Sequence, residues 1–553
     1  MSMSKNIARL AVTAGLTAAL SFGGVMAPVT MAFAEGAATG SVTIENAKYN
    51  VTDFKGYKIF DANVVKDKNG KTLVSNITWA NEKVEAAVKG VITEIDPSAN
   101  IATAQDVAEW IKGHVMGTDE ESRVASESAA YKIAAAVSAV TDLDDSSDYT
   151  TTSNGVANNL SHGYWLFVTD ASTVTDAEAA TAPIFTVVGD EAVKIKEKTS
   201  IPTVDKEVKE DGNWGNVSDS QIGEEIEYRL TGSVADNIDT FATYTYEFHD
   251  HLSVGLEAIQ SSVAVTIDGR SVQPTNNYSV QLTDTLDASN KVTGHDLMIS
   301  FTDLKAAAKA SNVTLTKNSK VVVTYKAKLT RDAEYTATGN TNEVKLVYSN
   351  NPMTTDRGTS ESDKVTDYVF GLNVTKTDAD SNNTDAKLVA GFKVKMIKEG
   401  DKEVADGGQW LTADGGFTTD ANKAGEFKTE TSNKVFIPGL VKGTYEISET
   451  TTPSGYNTIA PFQITVNPVY DTAGKLSGLT VTDTSNMVDS NMTNENVTTT
   501  KIPITIKNKK GSGLPLTGLN GVTFTWIAGG AVLCIGVAHL IRSRKQAEES
   551  EQE

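Results

Sequence analysis

The chain has almost no cysteine. Among its 553 residues there is one, Cys534. It lies inside an apolar run near the C-terminus, so the rest of the sequence has no thiol from which a disulfide could form. Exported modules often rely on disulfides as covalent staples. If the modules of this chain are stapled, the cross-link must come from a different chemistry.

Basic residues are also in deficit. Lysine and arginine number 49 against 71 aspartates and glutamates, which gives a net charge of -22 at pH 7. This balance argues against a nucleic-acid partner, because phosphates require a basic face, and it is typical of a solvated extracellular surface. No nucleophile–histidine–acid set and no phosphate-binding glycine loop stands out. We therefore expect no turnover enzyme, no cofactor and no metal site.

Long hydrophobic runs occur only at the two ends of the chain. Near the N-terminus, the basic residues Lys5 and Arg9 accompany an apolar stretch over residues 7–29, and residues 32–34 read Ala-Phe-Ala, a small-x-small cleavage site. Residues 1–34 are therefore predicted to be a secretory signal peptide. The remainder of the chain is expected to be exported.

The C-terminal segment, residues 511–553, combines three features. An apolar run over 522–541 is long enough, as a helix, to span the roughly 30 Å hydrocarbon core of a bilayer. A basic cluster over 542–545 follows it, which the positive-inside rule assigns to the cytoplasm. In front of the run lies a pentapeptide made of Leu514, Pro515, Leu516, Thr517 and Gly518. We predict a transmembrane helix here. The pentapeptide resembles the LPXTG sorting signal of Gram-positive surface proteins; the alternative is an ordinary single-pass membrane protein in which these residues form a chance juxtamembrane turn.

Between the two ends there is room for about three domains. Short alternating runs rich in Thr, Val and Asn predict a mainly β protein. We expect an α+β domain over 35–199, then two Ig-like β-sandwiches over 200–368 and 369–510. Apolar residues at helical spacing predict helices at 103–115, 127–140 and 303–310, and an acidic loop is expected at 142–153. Strands are predicted at 56–61, 163–168, 225–230, 244–248, 263–267, 320–329, 342–348, 372–376, 391–397, 435–437, 443–449, 462–466 and 502–507.

Two strands of the last sandwich carry polar residues on their apolar faces. Leu372, Val374 and Lys376 share one face of the first strand, since side chains alternate along a strand. On the last strand the residues at 504, 506 and 508 do the same, and the third of them is Asn508. A lysine and an asparagine that face an apolar core are costly unless they react or pair.

The segment over 445–456, Tyr-Glu-Ile-Ser-Glu-Thr-Thr-Thr-Pro-Ser-Gly-Tyr, resembles the E-box of pilins and of collagen-adhesin B-type domains. In that family a glutamate catalyses a spontaneous bond between a lysine and an asparagine. The resemblance implies a Lys376–Asn508 bond catalysed by Glu449. Burial would lower the lysine pKa and keep the glutamate protonated, so that Glu449 polarises the Asn508 carbonyl. The alternative is a buried, hydrogen-bonded Lys–Glu pair with an asparagine nearby.

The middle sandwich repeats the arrangement less plainly. Lys206 lies on its first predicted strand, and Asn342 begins a strand whose inward face also carries apolar residues. Asp250 resembles the acid that replaces glutamate in the A-type pilin domain, which implies a Lys206–Asn342 bond catalysed by Asp250. Asn340 is a rival acceptor that we expect to lie off the strand. The two histidines that flank Asp250 are interpreted as surface residues.

One lysine upstream of the middle sandwich corresponds to the polymerising lysine of the family. In backbone pilins that lysine lies in a Val-x-Val-Tyr-Pro-Lys-Asn segment, and by spacing Lys198 occupies its position here. The match is partial, because Lys196 and Glu197 replace Tyr-Pro, and Gly189 stands where a tryptophan is usual. Lys194 and Lys196 are alternatives, and a solvated linker is the other interpretation.

Taken as a whole, the chain resembles the sortase-assembled LPXTG backbone pilins of Gram-positive bacteria. The resemblance implies that a class C sortase cleaves between Thr517 and Gly518 and joins Thr517 to a lysine of another copy. A housekeeping sortase would then attach the fibre to peptidoglycan at the cell surface. The implied partners are the sortases, copies of this chain and other pilins, and possible host ligands. Two alternatives remain open: a monomeric wall-anchored adhesin, and a minor pilin of the tip or base.

Overall fold

The structure is a computed structural model of the chain. It describes residues 39–45, 53–66, 72–115, 124–143, 147–196, 200–274, 277–380, 388–485 and 497–511. The predicted signal peptide, Lys198, the 514–518 pentapeptide and the predicted membrane helix lie outside the described residues. Within the described ranges, no helix is both long and apolar enough to cross a membrane.

The described residues of the first part of the chain form two sheets and three α-helices. Its elements are β1 (Thr39–Glu45), β2 (Phe54–Lys66), β3 (Thr72–Trp79), α1 (Glu82–Ile95), α2 (Ala104–His114), α3 (Ala129–Ser138), β4 (Tyr149–Thr151), β5 (Val156–Ser161), β6 (Gly163–Thr169), β7 (Ile184–Val188) and β8 (Ala192–Lys196). One sheet has the order β3-β2-β6-β7, with β4 paired to β2, and the other has the order β5-β1-β8.

Helix α2 begins where the sequence predicts. The Thr103 hydroxyl accepts a hydrogen bond from the Asp106 backbone N–H, and the Asp106 carboxylate accepts one from the Thr103 backbone N–H, which makes a capping box. The apolar face of α2, with Val107 and Ile111, is buried in the core of this part. Helix and cap therefore follow from local sequence, and this prediction is confirmed.

Two predictions for the first part need correction. Helix α1 was not predicted, although Val84, Val88 and Ile92 recur every four residues and are all buried. The predicted loop at 142–153 contains strand β4, which pairs with β2 through Tyr149 and its neighbours. The polar composition of that segment concealed a short edge strand.

The second part is a sandwich of two sheets. It consists of β9 (Val204–Glu210), β10 (Asn213–Gly215), β11 (Val217–Asp219), β12 (Glu225–Ser233), β13 (Tyr246–Ser253), β14 (Leu256–Ile267), β15 (Arg270–Val272), β16 (Ser279–Leu286), β17 (Val292–Phe301), α4 (Leu304–Ala310), β18 (Lys320–Leu329), β19 (Asn340–Ser349), β20 (Arg357–Thr359) and β21 (Asp363–Tyr368). The sheet orders are β10-β9-β12-β18-β14-β15 and β11-β21-β19-β13-β17-β16, with β20 on β19. Their inward faces form one hydrophobic core.

The third part is a second sandwich. Its strands are β22 (Phe370–Asp378), β23 (Gly391–Glu399), β24 (Lys402–Glu403), β25 (Gln409–Leu411), β26 (Phe417–Thr418), β27 (Phe427–Lys428), β28 (Lys434–Leu440), β29 (Gly443–Thr451), β30 (Phe462–Tyr470), β31 (Leu476–Asp483) and β32 (Lys501–Asn508). A sheet of order β28-β22-β32 packs on one built around β26-β25-β23-β29-β30-β31. The first and last strands, β22 and β32, pair in parallel.

The six sheets fall into three pairs, built from residues 39–196, 204–368 and 370–508. The predicted fold class, mainly β with helices concentrated in the first part, is confirmed. The domain boundaries at 199/200 and 368/369 stay predictions. One residue, Val369, separates β21 from β22, and its side chain is fully buried.

The junction between the second and third parts is hydrogen-bonded through an aspartate. One Asp219 carboxylate oxygen accepts a bond of 2.7 Å from the Lys442 backbone N–H, and the other accepts one of 3.3 Å from the Tyr470 hydroxyl. Burial raises the pKa of Asp219 to about 6. The contact therefore joins the two parts through a group that titrates near neutral pH.

A second buried aspartate, Asp367, lies close to this junction. One of its carboxylate oxygens accepts hydrogen bonds of 2.6 Å from the hydroxyls of Ser218 and Ser220. The other oxygen is buried without a hydrogen-bond partner among the described residues. Burial raises the pKa of Asp367 to about 7, because the two hydroxyls only partly replace the water lost by the charged form.

Candidate functional site

Four buried polar side chains meet between the two sheets of the second part. Lys206 lies on β9 and Tyr325 on β18 of one sheet, while Asp250 lies on β13 and Asn342 on β19 of the other. None of the four exposes more than 2% of its surface. We call this group the middle cluster. Alternation along the strands directs these side chains into the sandwich, together with the apolar residues two positions away.

A tyrosine hydroxyl connects the members of the middle cluster. Lys206 Nζ donates to Asp250 Oδ1 at 2.5 Å and to the Tyr325 hydroxyl at 3.3 Å. The Tyr325 hydroxyl in turn donates to Asp250 Oδ2 at 2.7 Å. It also accepts a hydrogen bond of 2.6 Å from Asn342 Nδ2. The lysine and the asparagine are thus separated by one hydroxyl group.

Burial controls the protonation of this cluster. Removal from water lowers the pKa of Lys206 below its usual value, against the opposing attraction of Asp250. The pKa of the Tyr325 phenol is raised well above its usual value, again by burial, so the hydroxyl keeps its proton. The Lys206 ammonium nitrogen also lies 5.5 Å from the Tyr228 ring centroid and 5.6 Å from that of Tyr325. A lowered lysine pKa favours the neutral amine, which is the nucleophilic form.

The structure distinguishes the two asparagines of β19. Asn340 belongs to the strand, which corrects the expectation that it lies off it, and its side chain is fully buried. Its Oδ1 accepts a hydrogen bond of 2.8 Å from the Glu334 backbone N–H, and its Nδ2 donates to the Asp367 carbonyl at 3.3 Å. These contacts direct its amide away from Lys206. Asn342 is the asparagine that joins the cluster.

A second buried set lies in the third part. Lys376 on β22 and Asn508 on β32 come from the first and last strands, and Glu449 on β29 faces them from the other sheet. Lys376 and Asn508 are fully buried, and Glu449 exposes 7% of its surface. We call these three residues the C-terminal cluster. The predicted alternation is present on both strands, where residues 372, 374 and 376 and residues 502, 504, 506 and 508 are buried.

The Glu449 carboxyl group contacts the amide nitrogen of the asparagine. Asn508 Nδ2 donates to both carboxylate oxygens at 2.9 Å, and also to the Asn457 carbonyl at 2.9 Å. Glu449 Oε2 further accepts hydrogen bonds from the Ile459 backbone N–H at 3.0 Å and the Thr452 hydroxyl at 3.3 Å. This differs from the expectation that Glu449 polarises the carbonyl. The carboxyl group lies beside the nitrogen that would leave.

The Lys376 amine is held by backbone carbonyls. Nζ donates to the carbonyls of Ile506 at 3.1 Å and Thr377 at 3.4 Å. Burial lowers the pKa of Lys376 to about 8, although Glu449 and Asp378 attract its positive charge. At neutral pH a useful fraction of this lysine is therefore the neutral amine.

Sequence reasoning did not identify Tyr325 or the loop around Asn457. The strand that carries Tyr325 was predicted with its observed bounds, 320–329. Alternation with Val321, Val323 and Ala327 already turned the tyrosine inward. That signal could have found Tyr325. The Asn457 carbonyl could not be found in this way, because a loop conformation determines where it points.

The remaining site predictions are surface residues or lie outside the described part. His249 contacts Glu247 at 2.8 Å and His251 contacts Asp296 at 2.7 Å, each on the outer face of its sheet. In the described part of the chain, no group of three or more His, Cys, Asp or Glu residues could hold a metal ion. Lys194 on β8 is exposed.

The third part matches a known domain family. Residues 370–485 match the family model described as SpaA, prealbumin-like fold domain. The matched segment contains Lys376 and Glu449 and ends before Asn508. No curated protein sequence matches the chain.

Several solved structures are similar to the chain at low identity. The T6 backbone pilin of serotype M6 Streptococcus pyogenes is 13% identical with a TM-score of 0.46, and the match covers 86% of this chain and 99% of that one. The major pilin SpaA of Corynebacterium diphtheriae is 15% identical with a TM-score of 0.44, over 86% and 100%. The full-length major pilin SpaD of Corynebacterium diphtheriae is 16% identical with a TM-score of 0.44, over 86% and 98%. At these values we draw no functional conclusion from the likeness.

Proposed function

We propose that both clusters form intramolecular isopeptide bonds, Lys206–Asn342 with Asp250 as the acid and Lys376–Asn508 with Glu449 as the acid. The observation that carries the proposal is the burial, twice in one chain, of a lysine, a carboxylic acid and an asparagine, with the acid in contact with Lys206 in one cluster and with Asn508 in the other. Burying charged groups is costly. Conversion of the lysine to a neutral amide removes that cost, and it stabilises the fold without cysteine.

The proposed reaction needs no external reactant. In the C-terminal cluster the neutral Lys376 amine attacks Cγ of Asn508, and a new C–N bond forms. The bond from Cγ to Nδ2 breaks, and the nitrogen leaves as ammonia with one proton that came from the amine. Glu449 can carry this proton, because its carboxylate contacts Nδ2 at 2.9 Å. Each bond therefore removes one ammonia, about 17 Da, from the mass of the chain.

We further propose that the chain is a structural shaft subunit of a covalent pilus on the surface of a Gram-positive bacterium. Residues 1–34 would direct export, and the 514–518 pentapeptide would be the sortase signal, with Thr517 joined to Lys198 of the next copy and the last copy anchored to peptidoglycan. The SpaA domain match at 370–485 and the two stapling clusters support this function. A covalent path through each subunit would bear force that non-covalent stability of about 5–15 kcal/mol would not.

A denaturing gel of cell-wall extracts tests the shaft function. A shaft subunit gives a ladder of high-mass bands that survives boiling in detergent, and Lys198→Ala abolishes it. Lys194→Ala is the matched control, because it removes a neighbouring exposed lysine and should leave the ladder intact. A ladder that persists in Lys198→Ala but vanishes in Lys194→Ala or Lys196→Ala would move the joint to that lysine. A single wild-type band would reject the shaft and favour a wall-anchored adhesin.

A further inference from the structure

The acid reaches the asparagine differently in the two clusters. In the C-terminal cluster both Glu449 oxygens contact Asn508 Nδ2 directly. In the middle cluster the acid is an aspartate, whose side chain is one methylene shorter. The Tyr325 hydroxyl lies between Asp250 Oδ2 and Asn342 Nδ2, at 2.7 Å from the first and 2.6 Å from the second. The Tyr325 hydroxyl thus mediates in the middle cluster a connection between acid and asparagine that is direct in the C-terminal cluster.

We propose that Tyr325 is a catalytic residue of the Lys206–Asn342 cross-link and relays a proton from Asp250 to the leaving nitrogen of Asn342. This inference rests on the proposed isopeptide function of the middle cluster. The Tyr325 hydroxyl is the atom that contacts the nucleophile, the acid and the leaving group together. A hydroxyl can accept one proton while it donates another, which is what a relay requires.

The proton count closes without a further reactant. Lys206 Nζ gives a proton to Asp250 Oδ1, its neighbour at 2.5 Å, and attacks Cγ of Asn342 as the neutral amine. In the tetrahedral intermediate Nδ2 carries a lone pair, so the Tyr325 hydroxyl, which donates to Asp250 Oδ2 before the reaction, turns to donate to Nδ2. As the bond from Cγ to Nδ2 breaks, the Tyr325 proton passes to Nδ2. The Asp250 carboxyl group, turned so that its protonated oxygen faces the phenol, returns a proton to the tyrosine oxygen. The attacking nitrogen loses its remaining extra proton to the Asp250 carboxylate. The products are the secondary amide, ammonia, a protonated Asp250 and an unchanged tyrosine.

Among the described residues, Tyr228 is the other phenol beside Asn342, but its buried hydroxyl makes no hydrogen bond to the acid or to the asparagine. Tyr228 stacks on Tyr325 with ring centroids 5.3 Å apart, and it contributes an aromatic face to Lys206. The Asn342 carbonyl oxygen has no hydrogen-bond partner among the described residues, so the asparagine is held in the cluster through its nitrogen. Removing the Tyr325 oxygen breaks the chain of hydrogen bonds at a single atom.

The test is the rate of cross-linking in full-length protein carrying Tyr325→Phe. Chains are isolated in denaturant before they have folded, so that neither bond has formed. Refolding then starts the reaction, and intact mass and peptide mapping follow each bond separately by its loss of ammonia. We expect the middle bond to form roughly 100-fold more slowly, the usual effect of losing a general acid–base group, while the C-terminal bond forms at the wild-type rate. Tyr246→Phe is the matched control, since it removes a buried hydroxyl from the same core, one that donates to the Ser233 carbonyl.

A second variant separates catalysis from packing. In Asp250→Glu/Tyr325→Phe the longer acid can reach Asn342 directly, as Glu449 reaches Asn508, so it should restore the middle bond. A Tyr325→Phe protein that cross-links at the wild-type rate would overturn the proposal. So would a lost bond that Asp250→Glu does not restore, or a general loss of fold in Tyr325→Phe but not in Tyr246→Phe. If wild-type protein lacks the middle bond altogether, the proposed function of that cluster fails before Tyr325 is in question.

Discussion

The substitution Glu449→Gln removes the proposed acid and keeps the shape of the side chain. An amide at this position can still contact Asn508 Nδ2 through its oxygen, but it cannot carry a proton to the leaving nitrogen. We expect the Lys376–Asn508 bond to be absent and the Lys206–Asn342 bond to form normally. The mass of the variant should then exceed that of the wild type by about 16 Da: about 17 Da of retained ammonia less the ~1 Da change from acid to amide.

The loss of stability follows from the length of chain that the bond closes. Lys376 and Asn508 enclose a loop of roughly 130 residues, for which the chain-entropy relation gives about 5 kcal/mol of stabilisation by a covalent cross-link. For a domain of this size each kcal/mol corresponds to roughly 2–4 °C, so the midpoint of thermal unfolding of the third part should fall by about 10–20 °C. Residual structure in the unfolded chain would reduce the effect.

Peptide mapping and calorimetry check the two quantities on the same sample. Glu446→Gln is the control, because this residue lies on the same strand with its side chain on the opposite face. The control should keep the cross-link, the ammonia loss and the unfolding midpoint. A Glu449→Gln protein that still contains the Lys376–Asn508 peptide, or a wild type that lacks it, would refute the assignment of this cluster.

Three further predictions concern groups that the structure describes. The rate of Lys376–Asn508 bond formation should rise about tenfold per pH unit and level off above pH 8, because the pKa of Lys376 is about 8. Stopped refolding of chains that have not yet cross-linked, followed by mass spectrometry, measures this rate, and a flat pH profile would contradict the prediction. The pKa of Asp367 is raised to about 7, so the folded protein keeps a proton on this carboxyl group that the unfolded chain loses near pH 4. The free energy of unfolding should therefore fall as the pH rises from 4 to 7. Asp367→Asn should flatten this dependence, which thermal melts at pH 5 and pH 8 measure. Thr103→Ala removes the α2 cap and should cost about 1 kcal/mol in denaturant unfolding, while Thr103→Ser should cost little.

The fold was predictable where local pattern and burial agree. Strand β18 and helix α2 carry clear periodicity, and the structure gives them nearly the predicted bounds. Strand β13 begins at Tyr246 and extends to Ser253, beyond the predicted 244–248, because the polar residues that follow Phe248 belong to the outer face and to the middle cluster. Sequence periodicity weakens where a strand carries functional polar residues on its inward face.

The sequence predicted which residues belong to the two clusters better than it predicted the hydrogen bonds between them. The alternation of side chains along the strands predicts that Lys206, Lys376 and Asn508 face inward, and all three are fully buried. The contact of Glu449 with a nitrogen instead of an oxygen depends on the Asn457 carbonyl and the Ile459 N–H, which the loop after β29 provides. Such tertiary hydrogen bonds have no periodic signature in sequence.

The two asparagines of β19 show why alternation along a strand does not by itself identify the residue that joins the middle cluster. Asn340 and Asn342 are two residues apart, so both face the interior of the sandwich, and both are fully buried. Only their tertiary contacts distinguish the two residues. The Asn340 side-chain oxygen accepts a hydrogen bond from the Glu334 N–H, whereas the Asn342 side-chain oxygen has no hydrogen-bond partner in the described part of the chain.

The side-chain oxygen of Asn508 likewise has no hydrogen-bond partner among the described residues. A buried carbonyl left unpaired costs about 1–3 kcal/mol, and both proposed acceptors bear this cost while their nitrogens are hydrogen-bonded. The Asn340 oxygen, by contrast, is paired. In both clusters the asparagine nitrogen that would leave as ammonia is therefore the atom in contact with the acid or, through Tyr325, one hydroxyl away from it.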